Sequence, residues 1–276
     1  MLIIRHKERD TQEGRNEYMK VVILAGGRGT RISEESTLRP KPMIEIGEHP
    51  ILWHIMKYYS SYGYNDFIIC CGYKGYMIKE YFADYYLHNA DVTFDFTDDG
   101  KMIVHNHEAE PWKVTLVNTG LNTQTGARIR KVRKYIGDEA FMLTYGDGVS
   151  NVPIDKLVEF HKKHGKIGTM TAVQPGGRFG VLGIDGQMNI TSFMEKSKED
   201  GGWINGGFMV LEQGVFSYIG DNDEEIFERE PLEHLAMDGE LVAYKHTDFW
   251  HCMDTMRDRI VLEEMWSDDE APWKRW

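Results

Sequence analysis

Apolar positions along the chain fall into short unbroken runs, most of them ended by glycine, that alternate with stretches of helical spacing. Val21-Val22-Ile23-Leu24-Ala25 is the first run and ends in Gly26-Gly27. With no polar position to face water, it predicts a strand buried on both faces, as in a parallel sheet. Pro50 then precedes Ile51, Ile55, Tyr58, Tyr59 and Tyr62 at helical spacing, and Gly63 stops that helix before a second run, Phe67 to Cys71. Strand, helix and strand make a βαβ unit. A helix from Tyr76 to Leu87 follows, then strands at Val92–Phe96 and Val114–Val117. A third buried run, Ala140 to Tyr145, ends at Gly146-Asp147-Gly148.

After a helix carrying Ile154, Leu157, Val158 and His161, the pattern turns to strands: Thr169–Val173, Gly180–Ile184, Ile190–Met194, Phe208–Leu211 and Leu241–His246. Thr255, followed three residues on by Asp258, predicts a capping box opening a helix through Trp266, with Asp254 just outside it. The alternation predicts an α/β fold: a doubly wound, mostly parallel sheet with β-rich insertions, in a single domain over residues 19–276. Residues 1–18 are charged beyond Ile4, lack the pattern of a signal peptide, and read as an extension outside the fold. Ligands on such sheets bind beyond the carboxyl ends of the strands. Gly26-Gly27 and Asp147 both fall there.

Charge and cysteine usage then narrow the classes of function. A formal net charge of −12 argues against a sequence-independent nucleic-acid binder, which needs a basic face. No apolar stretch approaches the roughly 20 residues of a membrane span, so no membrane partner is expected. Cys70 and Cys71 are adjacent and Cys252 stands alone, which predicts neither a disulfide framework nor a zinc cluster and suits a reducing, cytoplasmic setting. His105 and His107 share a face of a strand without a third ligand and read as exposed strand histidines. The acidic stretch from Asp221 to Glu230 reads as a solvated loop and helix face.

Candidate chemistry begins at Leu24-Ala25-Gly26-Gly27-Arg28-Gly29-Thr30-Arg31, where glycines let backbone amides approach a polyphosphate without Cβ interference. Taken alone, the loop serves equally as a tight strand-to-helix turn. The Walker pattern is absent, and Ile32 replaces the third glycine of the dinucleotide fingerprint, which argues against a dinucleotide-dependent oxidoreductase. Leu38-Arg39-Pro40-Lys41-Pro42-Met43 changes the balance. A glycine loop, Arg31, a spacer and then Pro40-Lys41 resembles the signature of the sugar-1-phosphate nucleotidylyltransferase family. Pro40 to Gly47, Ile51 to Met56, Phe67 to Gly75, Glu110-Pro111-Trp112 and Ala271-Pro272-Trp273-Lys274 are similar to its cytidylyltransferase branch. The resemblance runs from about Met19 to Trp276.

That resemblance implies a Rossmann-like fold, CTP and α-D-glucose 1-phosphate as substrates, CDP-glucose and pyrophosphate as products, Mg²⁺ as cofactor, and a homo-oligomer, with a hexamer as one candidate. It implies a catalytic set of Arg31, Lys41 and Asp147. Leu24, Ala25, Gly26, Gly27, Gly29, Thr30 and Arg31 would contact the nucleotide, with Thr119, Gly120, Arg128 and Gly146. Arg31 would stabilise departing pyrophosphate, Lys41 would bind the sugar's phosphate, and Asp147 and Asp254 would hold Mg²⁺. Glu195, Lys196, Asn205 and Gly206 would contact the sugar. Residue chemistry agrees: Arg is a planar fork for phosphate oxygens, Lys a mobile point charge, and two carboxylates suit a hard cation. Asp254 also stands where a helix cap would. Asn118 and Ala127 occupy positions where the branch has Asp and Gly, and Ser197 one where proline is common. A non-catalytic nucleotide sensor on the same fold is the competing reading; it would have lost Arg31, Lys41, Asp147 and Asp254, which are all present.

Overall fold

The computed structural model describes residues 19–98, 100–174, 181–194 and 202–276; Glu195 and Lys196 lie outside the described residues. In chain order its main elements are β1 (Lys20–Ala25), α1 (Ile51–Ser60), β2 (Asp66–Cys71), α2 (Gly75–His88), β3 (Ala90–Asp95), β4 (Lys101–His107), β5 (Lys113–Asn118), α3 (Thr125–Ile136) and β6 (Phe141–Tyr145). There follow β7 (Gly148–Ser150), α4 (Ile154–His164), β8 (Gly168–Val173), β9 (Val181–Ile184), β10 (Ile190–Met194), β11 (Ile204–Asn205), β12 (Met209–Leu211), α5 (Glu230–Met237), β13 (Leu241–Lys245), β14 (Trp250–Cys252) and α6 (Met256–Ser267).

Among the described residues, a mixed, mostly parallel central sheet runs in the order β11-β8-β12-β6-β1-β2-β5, with β13 also paired to β8. β1 lies between β2 and β6 and is parallel to both, Val22 standing opposite Ile68 and Leu143. Its unbroken apolar run follows from that central place. Val21, Ile23 and Ala25 enter a core shared with α1, α4 and α6, whereas Val22 and Leu24 enter a second core with α3 and α5. Helices therefore cover both faces, and each such side chain contributes roughly 1.5–3 kcal/mol by leaving water. The second half is antiparallel where β12 meets β6 and where β8 meets β11 and β12.

Three features depart from the sequence pattern. Thr125–Ile136 is helical, with Ile129, Val132 and Ile136 buried at helical spacing; the interleaved Arg and Lys residues mask that narrow stripe. Ala127 is fully buried inside this helix, so its position needs no positive φ. β7 and β14 form an antiparallel ribbon too short to show a period of two. The acidic stretch is more than a solvated face: Glu225 and Phe227 are buried, the Glu225 carbonyl accepts the amides of Gly126 and Ala127, and the Asp223 carbonyl accepts that of Gln124. These carbonyls satisfy amides that the first turn of α3 leaves without helical partners.

The predicted capping box is present: Thr255 and Asp258 bond reciprocally at the start of α6. Beyond α6, Trp273 is fully buried and its indole donates to His54 Nδ1 at 3.3 Å. β3 and β4 form a hairpin outside the central sheet, with Phe94, Phe96 and Met102 exposed. His105, on β4, is exposed and shares a 2.9 Å hydrogen bond with Thr93. No helix among the described residues is long and apolar enough to cross a membrane.

Candidate active site

Because β1 and β6 are parallel neighbours, the loops that follow Ala25 and Tyr145 leave the same edge of the sheet. A cleft of about 270 Å³ opens there, lined by Leu24, Ala25, Gly26, Gly27, Gly29, Thr30, Arg31, Lys41, Pro42, Thr123, Gln124, Thr125, Arg128, Tyr145, Gly146 and Asp147. Two glycines shape its rim. Gly29 has φ +62°, the left-handed region, and a Cβ on Gly26 would lie 2.2 Å from Arg128 Nη1. Instead the buried Arg128 donates to the carbonyl of Gly26 at 3.1 Å, to that of Gly120 at 2.8 Å and to Thr119 Oγ1 at 2.5 Å. Arg128 thus faces the cleft while clamping two loops together. Thr119 and Gly120 lie behind that clamp and do not line the cleft.

At the cleft floor, four charged side chains form one ion cluster. Lys41 follows an extended Pro40 and opens a 3₁₀ turn through Met43, which turns its side chain inward. Its Nζ donates to Asp147 Oδ2 at 2.6 Å and to Asp254 Oδ1 at 2.5 Å, and Arg31 Nη1 meets Asp254 Oδ2 at 2.5 Å. The Lys41 side chain is 9 % exposed and that of Arg31 71 %. Burial works to lower the pKa of Lys41, but the charges of Asp147 and then Asp254 outweigh it and raise the value above normal. The ammonium therefore stays charged although buried.

The β7–β14 ribbon explains how two distant aspartates meet. Gly148 pairs with Cys252, and the Met253 amide donates to the Asp147 carbonyl at 2.8 Å. Asp254 sits one residue before the N-cap. Thr255 caps α6, while Asp258 Oδ2 accepts the amides of Asp254 and Thr255 at 3.1 and 2.7 Å. The Asp254 carboxylate is thus turned to Lys41 and Arg31, and the capping is done by its neighbour.

On the other wall, Asn205 Nδ2 donates to the Tyr145 hydroxyl at 2.9 Å, and Asn205 Oδ1 accepts the Gly207 amide at 2.8 Å. Gly206 donates its amide to the Thr171 carbonyl at 2.9 Å and accepts the Trp250 indole at 2.7 Å, so it shapes the turn. Pro42, Thr123, Gln124, Thr125 and Tyr145, which sequence reasoning placed within its motifs without a role of their own, also line the cleft. For Gln124 and Thr125 the available signal was the start of α3.

Two carboxylates that reach one ammonium within 2.6 Å converge on a single cation-sized point. Among the described residues no group of three or more His, Cys, Asp or Glu side chains is arranged to hold a metal. A hard divalent cation at Asp147 and Asp254 would therefore complete its shell with water and ligand oxygens, as Mg²⁺ does at phosphate sites. The residues present fit that group.

Comparison with known proteins shows the family. The family model described as nucleotidyl transferase matches residues 20–268. Glucose-1-phosphate cytidylyltransferase of Salmonella typhi is 56% identical over 259 residues, which span 94% of this chain and 100% of that protein. A probable glucose-1-phosphate cytidylyltransferase of Bacillus subtilis (strain 168) is 45% identical, again over 94% of this chain and 100% of that protein. Among solved structures, HddC from Yersinia pseudotuberculosis complexed with GMP-PN superposes with a TM-score of 0.70 at 25% identity, covering 90% of this chain and 99% of that one. With a Rossmann-like sheet, a glycine-rich cleft and these relatives in agreement, the chain belongs to the nucleotidyl transferase family, on the branch of the glucose-1-phosphate cytidylyltransferases.

Proposed function

We propose that this protein transfers a cytidylyl group from CTP to α-D-glucose 1-phosphate, forming CDP-glucose and pyrophosphate. The observation that carries the reading is the cluster of Lys41 and Arg31 with Asp147 and Asp254 at the floor of a glycine-rich cleft. A phosphate oxygen of the sugar attacks the α-phosphorus in line, and the bond from that phosphorus to the bridging oxygen of pyrophosphate breaks. No side-chain base is needed, because a phosphate monoester with a second pKa near 6 is mostly dianionic at neutral pH. Asp147 and Asp254 would hold Mg²⁺, which when bound supplies charge neutralisation at the nucleotide phosphates. Lys41 brings an ammonium kept charged by its carboxylates to the sugar's phosphate, and Arg31, the exposed member of the cluster, receives the departing pyrophosphate. Glu195, Lys196 and Asn205 are proposed for the sugar hydroxyls, and the loop from Gly26 to Thr30 for the nucleotide.

The free thiols Cys70, Cys71 and Cys252 support work in a reducing cytoplasm. A homo-oligomer is part of the same reading; the exposed Phe94, Phe96 and Met102 of the β3–β4 hairpin supply apolar surface for it, and mass in solution is the measurement that bears on it. The chemistry is tested by pyrophosphate release from a matrix of CTP, UTP, dTTP, ATP and GTP against several sugar 1-phosphates. CTP with α-D-glucose 1-phosphate should give the highest kcat/KM. A tenfold advantage for UTP or dTTP, about 1.4 kcal/mol at the transition state, would overturn the cytidylyl assignment.

A further inference from the structure

The acidic stretch that caps α3 also holds two residues that line the cleft. Glu228 Oε1 accepts the Tyr145 hydroxyl at 2.6 Å, and Oε2 accepts the Thr125 hydroxyl at 2.5 Å. Both hydroxyl residues line the cleft but stand on different elements, Tyr145 at the end of β6 and Thr125 at the start of α3. A carboxylate can only accept hydrogen bonds, so Glu228 dictates the direction of both protons. The Tyr145 oxygen, its proton committed, is left to accept from Asn205 Nδ2, and the Gly207 amide holds Asn205 Oδ1. The Asn205 amide, whose direction the Gly207 N–H sets, thus meets a Tyr145 oxygen that Glu228 has made an acceptor. Burial, reinforced by the Glu228 charge, pushes the Tyr145 pKa well above 10, so the phenol keeps the proton it donates. On the other arm, Thr125 stands one helical turn before Arg128, which clamps the glycine loop. Its oxygen also receives the Phe227 amide at 2.9 Å, so that hydroxyl too is held at both ends.

We infer that Glu228 is a positioning residue for both substrates: one carboxylate sets the Tyr145–Asn205 pair on the sugar side and the Thr125 hydroxyl on the nucleotide side. The inference rests on this cleft taking a nucleotide and a sugar phosphate together. A shared anchor of this kind means that disturbing either wall disturbs the other, although Glu228 need touch neither substrate.

Glu228→Gln tests it in the full-length protein, because the amide keeps the shape but turns one acceptor into a donor, so one of the two hydroxyls must reverse. Glu228→Gln should raise the KM of the substrate on the side whose hydroxyl reverses, and Glu228→Ala, which releases both hydroxyls, should raise the KM for CTP and the KM for glucose 1-phosphate, each about 3–10-fold, the scale of one misdirected hydrogen bond, with kcat changed less than about threefold. In the Tyr145→Phe background, Glu228→Gln should leave the KM for glucose 1-phosphate where Tyr145→Phe alone puts it, since the hydroxyl to be oriented on that side is gone. The single arms supply a second pair of variants: Tyr145→Phe should raise the sugar KM alone and Thr125→Val the CTP KM alone. A lower Tm with both KM values unchanged would make Glu228 a purely structural residue and overturn the inference; so would a loss confined to kcat. Calorimetric binding of CTP and of CDP-glucose repeats the comparison without turnover, and equal affinities in wild type and Glu228→Gln again overturn it. A wild type that binds CTP but turns over no substrate pair counts against the transferase reading alone, and one that binds neither ligand counts against both.

Discussion

Lys41 holds Asp147 and Asp254 at once, so each carboxylate has a part in the protein's own stability as well as in chemistry. Replacing either by Asn should reduce turnover severely. The double variant should be little worse than the single ones, because a misplaced cation cannot be misplaced twice. Removing one partner also leaves the buried Lys41 undercompensated, so the metal-free protein should lose about 1–3 kcal/mol, below the 3–5 of a fully broken buried pair since one carboxylate remains. Denaturant titration without metal measures this; an unchanged midpoint for Asp254→Asn would show that the cluster adds nothing to the fold. The sequence made Arg31, Lys41 and Asp147 legible because Arg31 closes the glycine loop that follows an apolar run, Lys41 stands between two prolines, and Asp147 stands between two glycines just past another run, places where a charged side chain has few structural uses. What it could not convey is that Lys41 bridges both aspartates, since that contact spans 106 and 213 residues of chain. Glu228 was hidden for a related reason: an acidic residue among acidic residues looks solvated until its hydroxyl partners, on two other elements, are in place.

Elements differ in how plainly they announce themselves. β1, β2 and β6 are unbroken apolar runs because they are covered on both faces, and α1 announces itself by a largely apolar stretch, Ile51 to Met56, Tyr58 and Tyr59 all being buried. α3 does not, because four Arg or Lys residues lie between Ile129 and Ile136. Within α1, His54 offers a test of packing by pH. Its Nε2–H donates to the Ile46 carbonyl at 2.8 Å while Nδ1 accepts from Trp273, an arrangement that needs the neutral ring. Burial accordingly lowers its pKa to about 4. An unfolded chain takes up that proton near pH 6.5, so between about 6.5 and 4 the unfolded state binds more protons than the folded one. Stability should fall as pH drops through that window and level off below it, His54 accounting for about 3 kcal/mol. Urea midpoints at several pH values in the window read the slope, and His54→Gln should remove the part that His54 supplies, leaving that of His164, whose pKa burial also lowers to about 4. An equal slope in the variant would place the titration elsewhere.

At the scale of the whole molecule, the family match begins at residue 20 and the cleft uses nothing before Leu24. Deleting residues 1–18 should therefore leave kcat/KM within about twofold of the intact chain; a larger loss, or a change of mass in solution, would give those residues a role in assembly or substrate binding. Overall architecture was readable in advance because alternating strands and helices with short connections leave few topologies. The β7–β14 ribbon was not, being three residues on each side and about a hundred apart. That ribbon has a consequence for how the molecule comes into being. A ribosome, working at about 5–20 residues per second, delivers Asp254 only 213 residues after Lys41. Until then the nascent chain holds a lysine without its second carboxylate, and β7 waits for a strand that has not yet been made. The closed ion cluster thus arrives late and in one step, and every partner that recognises it recognises a chain already folded through Asp254.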